Sequence, residues 1–574
     1  MFQCSLAPVR DPNNVLPQRT RFTTNRTGLT RNTTASVIAV RFLVIATSVT
    51  LVACQSSQSG NSGGSGSGGS GSASGGATGS GGASSSGGSS GSGGAASSGG
   101  SRGSGGAPGS GGSKGSGGAT GSGGATGSGG SQANGSGGSM SSTTGFTVDV
   151  SLSTAIPTVG IVTWSLAGSD TLDSAVIDFG RDQGTFEFQA PVDLAQSDHR
   201  TLLLGMKQGT TYYVRVTAKA GSKSFVSDVY MVKTGSLPNG LLPAFTKTDM
   251  DASSLYAGGG FTVNCIGLGG SPGLPGQSGK SVAFIFDKDG DIVWGLDLTT
   301  TAATNCSRAR MSYDGQSLLA GNFANASTAG ALFQIGMDGM GAGQSWKLPG
   351  RSHDFGVLPN GHIMYFATDN MMANTVPGLE TVWELEPSSG KMTMVYQEQS
   401  DFADLVGADN ESHTNHIAFS PELNAITISM LIPSTIAVVS YPDAKLLEVF
   451  GGAQSHYSSM NWTWQHGHDI HRDHIWVFNN NKSGDAHVLG FKYDSSAQTA
   501  TPTLDYDPGL QNTTFGDVKE QPNGNLYITY SDTGGFHEIS STGTLLRKIT
   551  TTTAVGYSEH RATLYGPPPP FDKN

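Results

Sequence analysis

An all-β protein is expected here, with a small β-sandwich followed by a β-propeller of about six blades, both behind a disordered Gly/Ser-rich linker. Three observations predict this. A hairpin signal returns through the second half of the chain at roughly the spacing of one propeller blade. Short β-branched runs separated by turn residues fill the stretch before it. Almost no segment spaces its apolar residues at the helical period, which excludes a helical array.

The linker explains the composition. Of the 85 Gly in 574 residues, 37 fall between positions 55 and 143. A Ser/Gly/Ala tract of that kind cannot bury apolar surface and behaves as a flexible coil. The formal charge is −11, and residues 1–54 contribute six Arg against one Asp, so the remainder is more acidic still, at −16. Such a surface repels phosphate backbones, and nucleic acid is not an expected partner.

At the amino end, Arg41 precedes the apolar run Phe42 to Ala53 and then Cys54. A basic residue, a short hydrophobic stretch and small residues form a secretory signal. The run is too short to cross a bilayer, which takes about 20 residues. Leu51-Val52-Ala53-Cys54 resembles a bacterial lipobox, which implies lipidation of Cys54 and an extracytoplasmic, membrane-anchored protein. Residues 1–36 do not fit a signal and read as a start site placed too early. The oxidising context lets Cys265 and Cys306 pair; two free buried thiols are the other reading.

Residues 144–237 form the expected sandwich, from runs such as Phe146 to Leu152, Gly160 to Ser165 and Tyr212 to Ala218. Met206-Lys-Gln-Gly-Thr-Thr-Tyr212 resembles the turn before strand F of a fibronectin type III domain, where the Tyr hydroxyl bonds back to the corner backbone. No chemistry is visible in this stretch, and a supporting role is expected.

Residues 238–574 form the expected propeller. Asp289-Gly290, Asp314-Gly315, Asn360-Gly361, Asn424, Asp473 and Asn523-Gly524 each open a turn followed by an apolar strand. Asn-Gly and Asp-Gly accept the positive φ of tight hairpins. From the second signal on, the intervals are 46, 64, 49 and 50 residues, the length of a four-stranded blade. The first blade is expected to be irregular.

Twelve of the 13 His lie between His353 and His560. His353, His413 and His466 stand just before the hairpins of three successive blades. The innermost strand comes there, so all three imidazoles are expected to converge on the central channel. Imidazole can act as nucleophile, acid or base, metal ligand or anion partner. His466 and His468 share one strand face if the strand is regular, but no third and fourth ligand matches them, so no metal is expected. His468, His471 and His474 read as a solvated strand end and turn.

The stretch from His353 to Leu546 resembles the arylsulfotransferases, propeller enzymes that move a sulfuryl group between phenols without a nucleotide donor. The matching pieces are Ser352-His353-Asp354-Phe355, His413-Thr-Asn415-His416-Ile417, Val449-Phe-Gly-Gly452, Trp464-Gln-His466, Val477-Phe-Asn-Asn480 and Gly516-Asp517 to Asn525. The resemblance implies a sulfohistidine on His466, with His353 and His413 binding the sulfate oxygens or shuttling protons and Asn415 and His416 lining the substrate site. It also implies a small phenolic sulfate donor, a phenol acceptor and no cofactor. One position departs from the pattern. The family has an Arg 18 residues after the second His, and Leu431 stands there. Either another group supplies the charge, with His416, Arg308, Arg310 and Arg351 as candidates, or the chain no longer transfers sulfate. In the second case it is a lipoprotein whose His-rich channel binds a sulfated or carbohydrate ligand. A metal-dependent hydrolase or lyase on the same histidines is a third reading.

Overall fold

The computed structural model describes residues 140–141, 145–168, 170–238, 242–258, 260–267, 281–299, 306–322, 330–341, 343–367, 379–405 and 412–567. Cys54, the lipobox, the signal region and the linker lie outside them.

The first folded part is a sandwich of two antiparallel sheets. One contains Met140–Ser141, Phe146–Leu152, Gly160–Leu166 and Thr201–Leu203; the other is built around Ser174–Gly180 and Thr211–Ala220. Strand Thr211–Ala220 shows why the sheets close on each other. Tyr212, Val214, Val216 and Ala218 are buried while their neighbours are half-buried or exposed, the period-two pattern of a strand with one wet face. These side chains join Phe146, Val162, Trp164, Ile177 and Phe179 in one core. The Tyr212 hydroxyl accepts a hydrogen bond from the Lys207 backbone N–H at 2.8 Å, closing the corner that the sequence placed there.

Lys207 also ties the sandwich to the propeller. Its ammonium lies 3.1, 3.1 and 2.6 Å from Asp287, Asp289 and Asp291. Arg200 pairs with Asp338 at 2.6 Å, and the Tyr565 hydroxyl accepts from the Leu204 N–H at 2.7 Å.

Among the described residues, the remaining strands form six antiparallel sheets, the blades of a propeller. The second to fifth blades run outward in chain order, beginning with inner strands Cys306–Met311, Arg351–Val357, Thr414–Ser420 and Gln465–His471. The other two are mixed. In the first blade the late strand Glu559–Arg561 pairs with Phe261–Gly267, so the C-terminal part of the chain supplies the innermost strand. In the sixth, Phe245–Asp249 pairs with Leu545–Thr551 and adds a fifth, outermost strand. This double closure is the irregularity expected of the first blade. Second strands such as Ala425–Met430 and Leu526–Tyr530 are buried at every position, because blades cover both of their faces.

The hairpin signals mostly act as expected, with Gly290, Gly315, Gly361, Asn424 and Gly524 all at positive φ. At Asp473 the left-handed residue is instead its neighbour Arg472, with φ 53°.

Cys265, in the first blade, and Cys306, at the start of the second, are joined as a disulfide across 41 residues. Beside it, the Cys265 carbonyl accepts from Gly556 N–H and the Ser307 carbonyl from Tyr557 N–H. The bond therefore joins the two strands, Phe261–Gly267 and Cys306–Met311, to which Gly556 and Tyr557 are hydrogen-bonded. Closing a loop of that length stabilises a fold by about 4 kcal/mol in the chain-entropy account. We expect Cys265→Ala with Cys306→Ala to lower the unfolding free energy by about 3–4 kcal/mol, measured by urea denaturation under non-reducing conditions.

Candidate functional site

The site is built where the inner strands enter the channel. In the third to sixth blades, a residue at or near the entry has left-handed backbone: Gly350 (φ 66°), His413 (49°), Trp464 (59°) and Phe515 (54°). In the second to fifth blades the inner ladder then slips, between Cys306 and Arg308, Arg351 and Phe355, Thr414 and His416, and Gln465 and His468. A bulge of this kind re-aims side chains at a sheet edge. Ser307 and Asn415 lie alone in their slips, His353 lies in the middle of the longer slip Ser352 to Asp354, and His466 shares its slip with Gly467. Below them, Arg308 and His416 pair with Gly321 and Ser429 of their second strands, and Asp517 with Thr529 in the sixth blade.

The three expected histidines do come together, though not by the equivalence read from the sequence. His353 and His466 occupy matching bulge positions. His413 lies two residues upstream of that position, which Asn415 takes in its blade, and matches Trp464 and Phe515 instead. The rings of His353 and His413 are 4.9 Å apart. Phe515 lies 6.3 Å from His353 and 6.5 Å from His466, and Tyr557 lies 6.2 Å from His466. Asn415 is fully buried; its side-chain amide donates to the Gln465 carbonyl at 2.8 Å and its backbone carbonyl accepts from the Tyr557 hydroxyl at 2.7 Å. It braces the wall.

His466 is 3% exposed, and its tautomer is set by Asn480. The Asn480 amide nitrogen donates to the carbonyls of Asn512 and Phe515, both at 2.9 Å, so its oxygen is left to face His466 Nδ1 at 2.8 Å. An amide oxygen only accepts, so Nδ1 carries the proton and the lone pair resides on Nε2. Burial pushes the pKa down to about 4, against the opposing bond from Asn480, and the nearby His413 charge lowers it further. Burial, with the charges of His413 and His466, also holds His353 well below the ordinary histidine value. At neutral pH His353 and His466 are neutral imidazoles. A neutral His353 can offer a ring N–H but no positive charge.

One layer down lies a charged ring. Arg308 clasps Asp354 with Nε at 2.7 Å and Nη2 at 3.0 Å, and reaches Asp517 with Nη1 at 2.9 Å. His416 Nε2 stands 3.7 Å from Asp354 and 3.6 Å from Asp517. Gly467 completes the circle in the fifth blade, where a Cβ would come within 2.4 Å of the Asp517 carboxylate. Burial works against the Asp354 charge, but Arg308 and Arg310 hold it below the usual carboxylate range; burial raises Asp517.

This ring disposes of several candidates. Arg308 is spent on two carboxylates, and Arg310 lies 3.6 Å from Asp354. His416 belongs to the ring below the three histidines rather than to the substrate-lining group expected of it. Burial, His468 and the two arginines hold its pKa well down. His468 is no solvated strand end. It is 3% exposed, with its ring 4.7 Å from His416, because the bulge turns it inward. His471 is 9% exposed beside Glu422, and only His474, half-buried against Trp476 and Asp473, keeps the expected turn position. The slip at Gly467 also separates His466 from His468, which contacts Thr427 at 2.8 Å, so the two form no metal pair. Among the described residues, the acidic trio Asp287, Asp289 and Asp291 has metal-like spacing, and Lys207 sits within it.

Leu431 is buried in the turn after the fourth blade's second strand, where its N–H donates to the His413 carbonyl at 3.2 Å. Arg351 is fully buried between the second and third blades, over the Phe355 ring at 5.4 Å, and its Nη1 donates to the Asn322 carbonyl. Its Nε and Nη2 have no hydrogen-bond partner among the described residues. Burial pushes its pKa down to about 10, and its charge is felt at His353. Sequence reasoning missed Asn480, Phe515 and Tyr557. The first two lie in quoted matching pieces or beside them, but their roles depend on contacts 14 to 35 residues away.

No protein-family profile matches the chain, and no curated relative does. Solved structures are similar at low identity. A periplasmic gluconolactonase of Pseudomonas aeruginosa is 12% identical, over 68% of this chain and 99% of that one, with a TM-score of 0.37. A putative 6-phosphogluconolactonase of Bacteroides uniformis is 13% identical, over 68% and 100%, with a TM-score of 0.35. A streptogramin B lyase is 13% identical, over 53% and 86%, with a TM-score of 0.31. At these scores the similarity carries nothing about the reaction. The propeller rests on the chain's own sheets.

The buried histidines give a stability prediction. His466, His468, His537 and His560 titrate at about 4, each lowered chiefly by burial, and His353 and His416 lower than usual for the same reason. Folded-state values below the unfolded value of 6.5 mean that the unfolded chain takes protons first on acidification. Stability should be flat with respect to these groups above pH 6.5 and fall below it, each group adding up to about 1.4 kcal/mol per pH unit to the slope until its own folded-state value is reached. The urea midpoint measured as a function of pH checks it.

Proposed function

We propose that the chain is a sulfuryl-transfer enzyme of arylsulfotransferase type, lipid-anchored through Cys54 on the extracytoplasmic side and held off the membrane by residues 55–143. The observation that carries this reading is the His466 imidazole, neutral and fixed by Asn480 as the Nδ1–H tautomer beside His353 and His413.

In the first half-reaction, the Nε2 lone pair attacks the sulfur of an aryl sulfate. An N–S bond forms, the S–O bond to the aryl oxygen breaks, and the phenolate leaves with that electron pair and takes up a proton. In the second, the acceptor phenol loses its proton to a neighbouring imidazole as its oxygen attacks sulfur, and the N–S pair returns to Nε2. His353 and His413 serve as proton carriers and N–H donors to the sulfuryl oxygens. Preorganised donors of this kind stabilise developing oxyanion charge. With Leu431 in place of an arginine, Arg351 supplies the positive field from behind His353.

The absence of an arginine at Leu431, with Arg308 and Arg310 spent inside the ring, favours a second reading, a propeller that binds a sulfated or carbohydrate ligand without turning it over. The full chain mixed with a chromogenic aryl sulfate and a phenol separates the two. Acceptor-dependent release of the chromophore supports the transferase; tight sulfate-ester binding without release supports the binding module.

A further inference from the structure

We propose that Phe515 determines specificity at this site, its ring forming one wall of a slot that admits a planar aryl group. The inference rests on the transfer reading above and names what selects its substrate.

A bulky residue at φ 54° is an outlier, and such conformations persist only where the surroundings over-determine them. The surroundings here are a clamp. The Phe515 carbonyl accepts from Asn480 at 2.9 Å and from Asn512 at 3.3 Å. The backbone N–H and hydroxyl groups of Thr513 and Thr514 all go to the Asp532 carboxylate, at 2.5 to 3.1 Å. Gly516 follows at φ 99°, where a Cβ would lie 2.2 Å from the Phe478 ring.

What the clamp holds is a half-buried ring that joins none of the apolar core clusters of the described residues. The ring meets the two imidazoles edge-on, with interplanar angles of 75° to His353 and 81° to His466, and lies 4.9 Å from Tyr557. An aryl sulfate whose sulfur reaches His466 brings its own ring within stacking or edge contact of Phe515, and an alkyl sulfate offers no π face to it.

The test is calorimetric binding of 4-nitrophenyl sulfate and cyclohexyl sulfate to the full chain, unsubstituted and as Phe515→Gly, Phe515→Asn and Phe515→Tyr. Gly and Asn accept left-handed backbone, so neither should lower the melting temperature. We expect both to weaken the aryl sulfate about tenfold while leaving the cyclohexyl ester unchanged, and Phe515→Tyr to retain aryl affinity. Equal loss for both esters, unchanged aryl affinity, or a lowered melting temperature in both ring-free variants overturns the proposal. Failure of the transfer reading shows separately, as no acceptor-dependent release from an unsubstituted chain that still prefers the aryl ester. An unsubstituted chain that binds neither ester overturns both.

Discussion

Substituting Ala for His466 should reduce acceptor-dependent release of the chromophore by at least about 1,000-fold, because it removes the imidazole that Asn480 fixes as the Nδ1–H tautomer. His413 and His353 are near enough to be rivals, so the variant must also be tested for covalent label from an aryl sulfate. A labelled His466→Ala chain would move the nucleophile to one of them. The loss is not expected to come from unfolding. Removing the imidazole leaves the Asn480 oxygen without its partner in a buried place, which costs about 1–3 kcal/mol. That shifts the melting temperature and leaves a folded protein. The acid limb of the proposed activity follows from the same environment. Protonation of His466 removes the attacking lone pair, so the rate should hold down to about pH 5 and fall near pH 4.

The second large effect is on stability. Asp354→Ala should cost about 3–5 kcal/mol in urea denaturation, the range found when one partner of a buried ion pair is removed. The carboxylate takes both forks of Arg308 and the backbone N–H groups of Phe355, at 2.7 Å, and Ile417, at 3.2 Å. Without it, Arg308 keeps only Asp517 and the Ser558 carbonyl among its acceptors, in a place that is 1% exposed. Asp354→Ala with Arg308→Met should recover part of the loss, since the stranded charge is gone. A single variant costing under about 1 kcal/mol would show that the ring is solvated and structurally dispensable.

The blades were legible because hairpin chemistry is local. Asp314-Gly315 and Asn523-Gly524 announce a positive φ within two residues, and the apolar strand follows at once. The meeting of His353, His413 and His466 was legible for a related reason, since each stands near its blade's entry. What the chain order hides is the slip in the inner ladders of the second to fifth blades. A bulge of one residue moves side chains to another face, so Asn415 took the place assigned to His413, and His468 turned inward instead of toward solvent. The charged ring was hidden by distance: Arg308 meets Asp354 across 46 residues and Asp517 across 209. Neither ion pair leaves a local pattern. The pKa of His466 is likewise a property of burial, which no spacing reveals.

The double closure of the ring bears on how the protein comes into being. Phe245 pairs with Thr551, and Phe261 with Arg561, so the first strands of the propeller wait for residues some 300 positions later. Pairings that distant in sequence must be found by slow search. On the ribosome, blades two to five have their strands early, yet they stand as an open arc with an unsealed edge. Tyr557, wedged against Arg308 and His466, emerges only after all three histidines. The histidine cluster therefore acquires its final wall only when the ring snaps shut, and a chain cut short before residue 557 carries every proposed catalytic histidine without an assembled active centre.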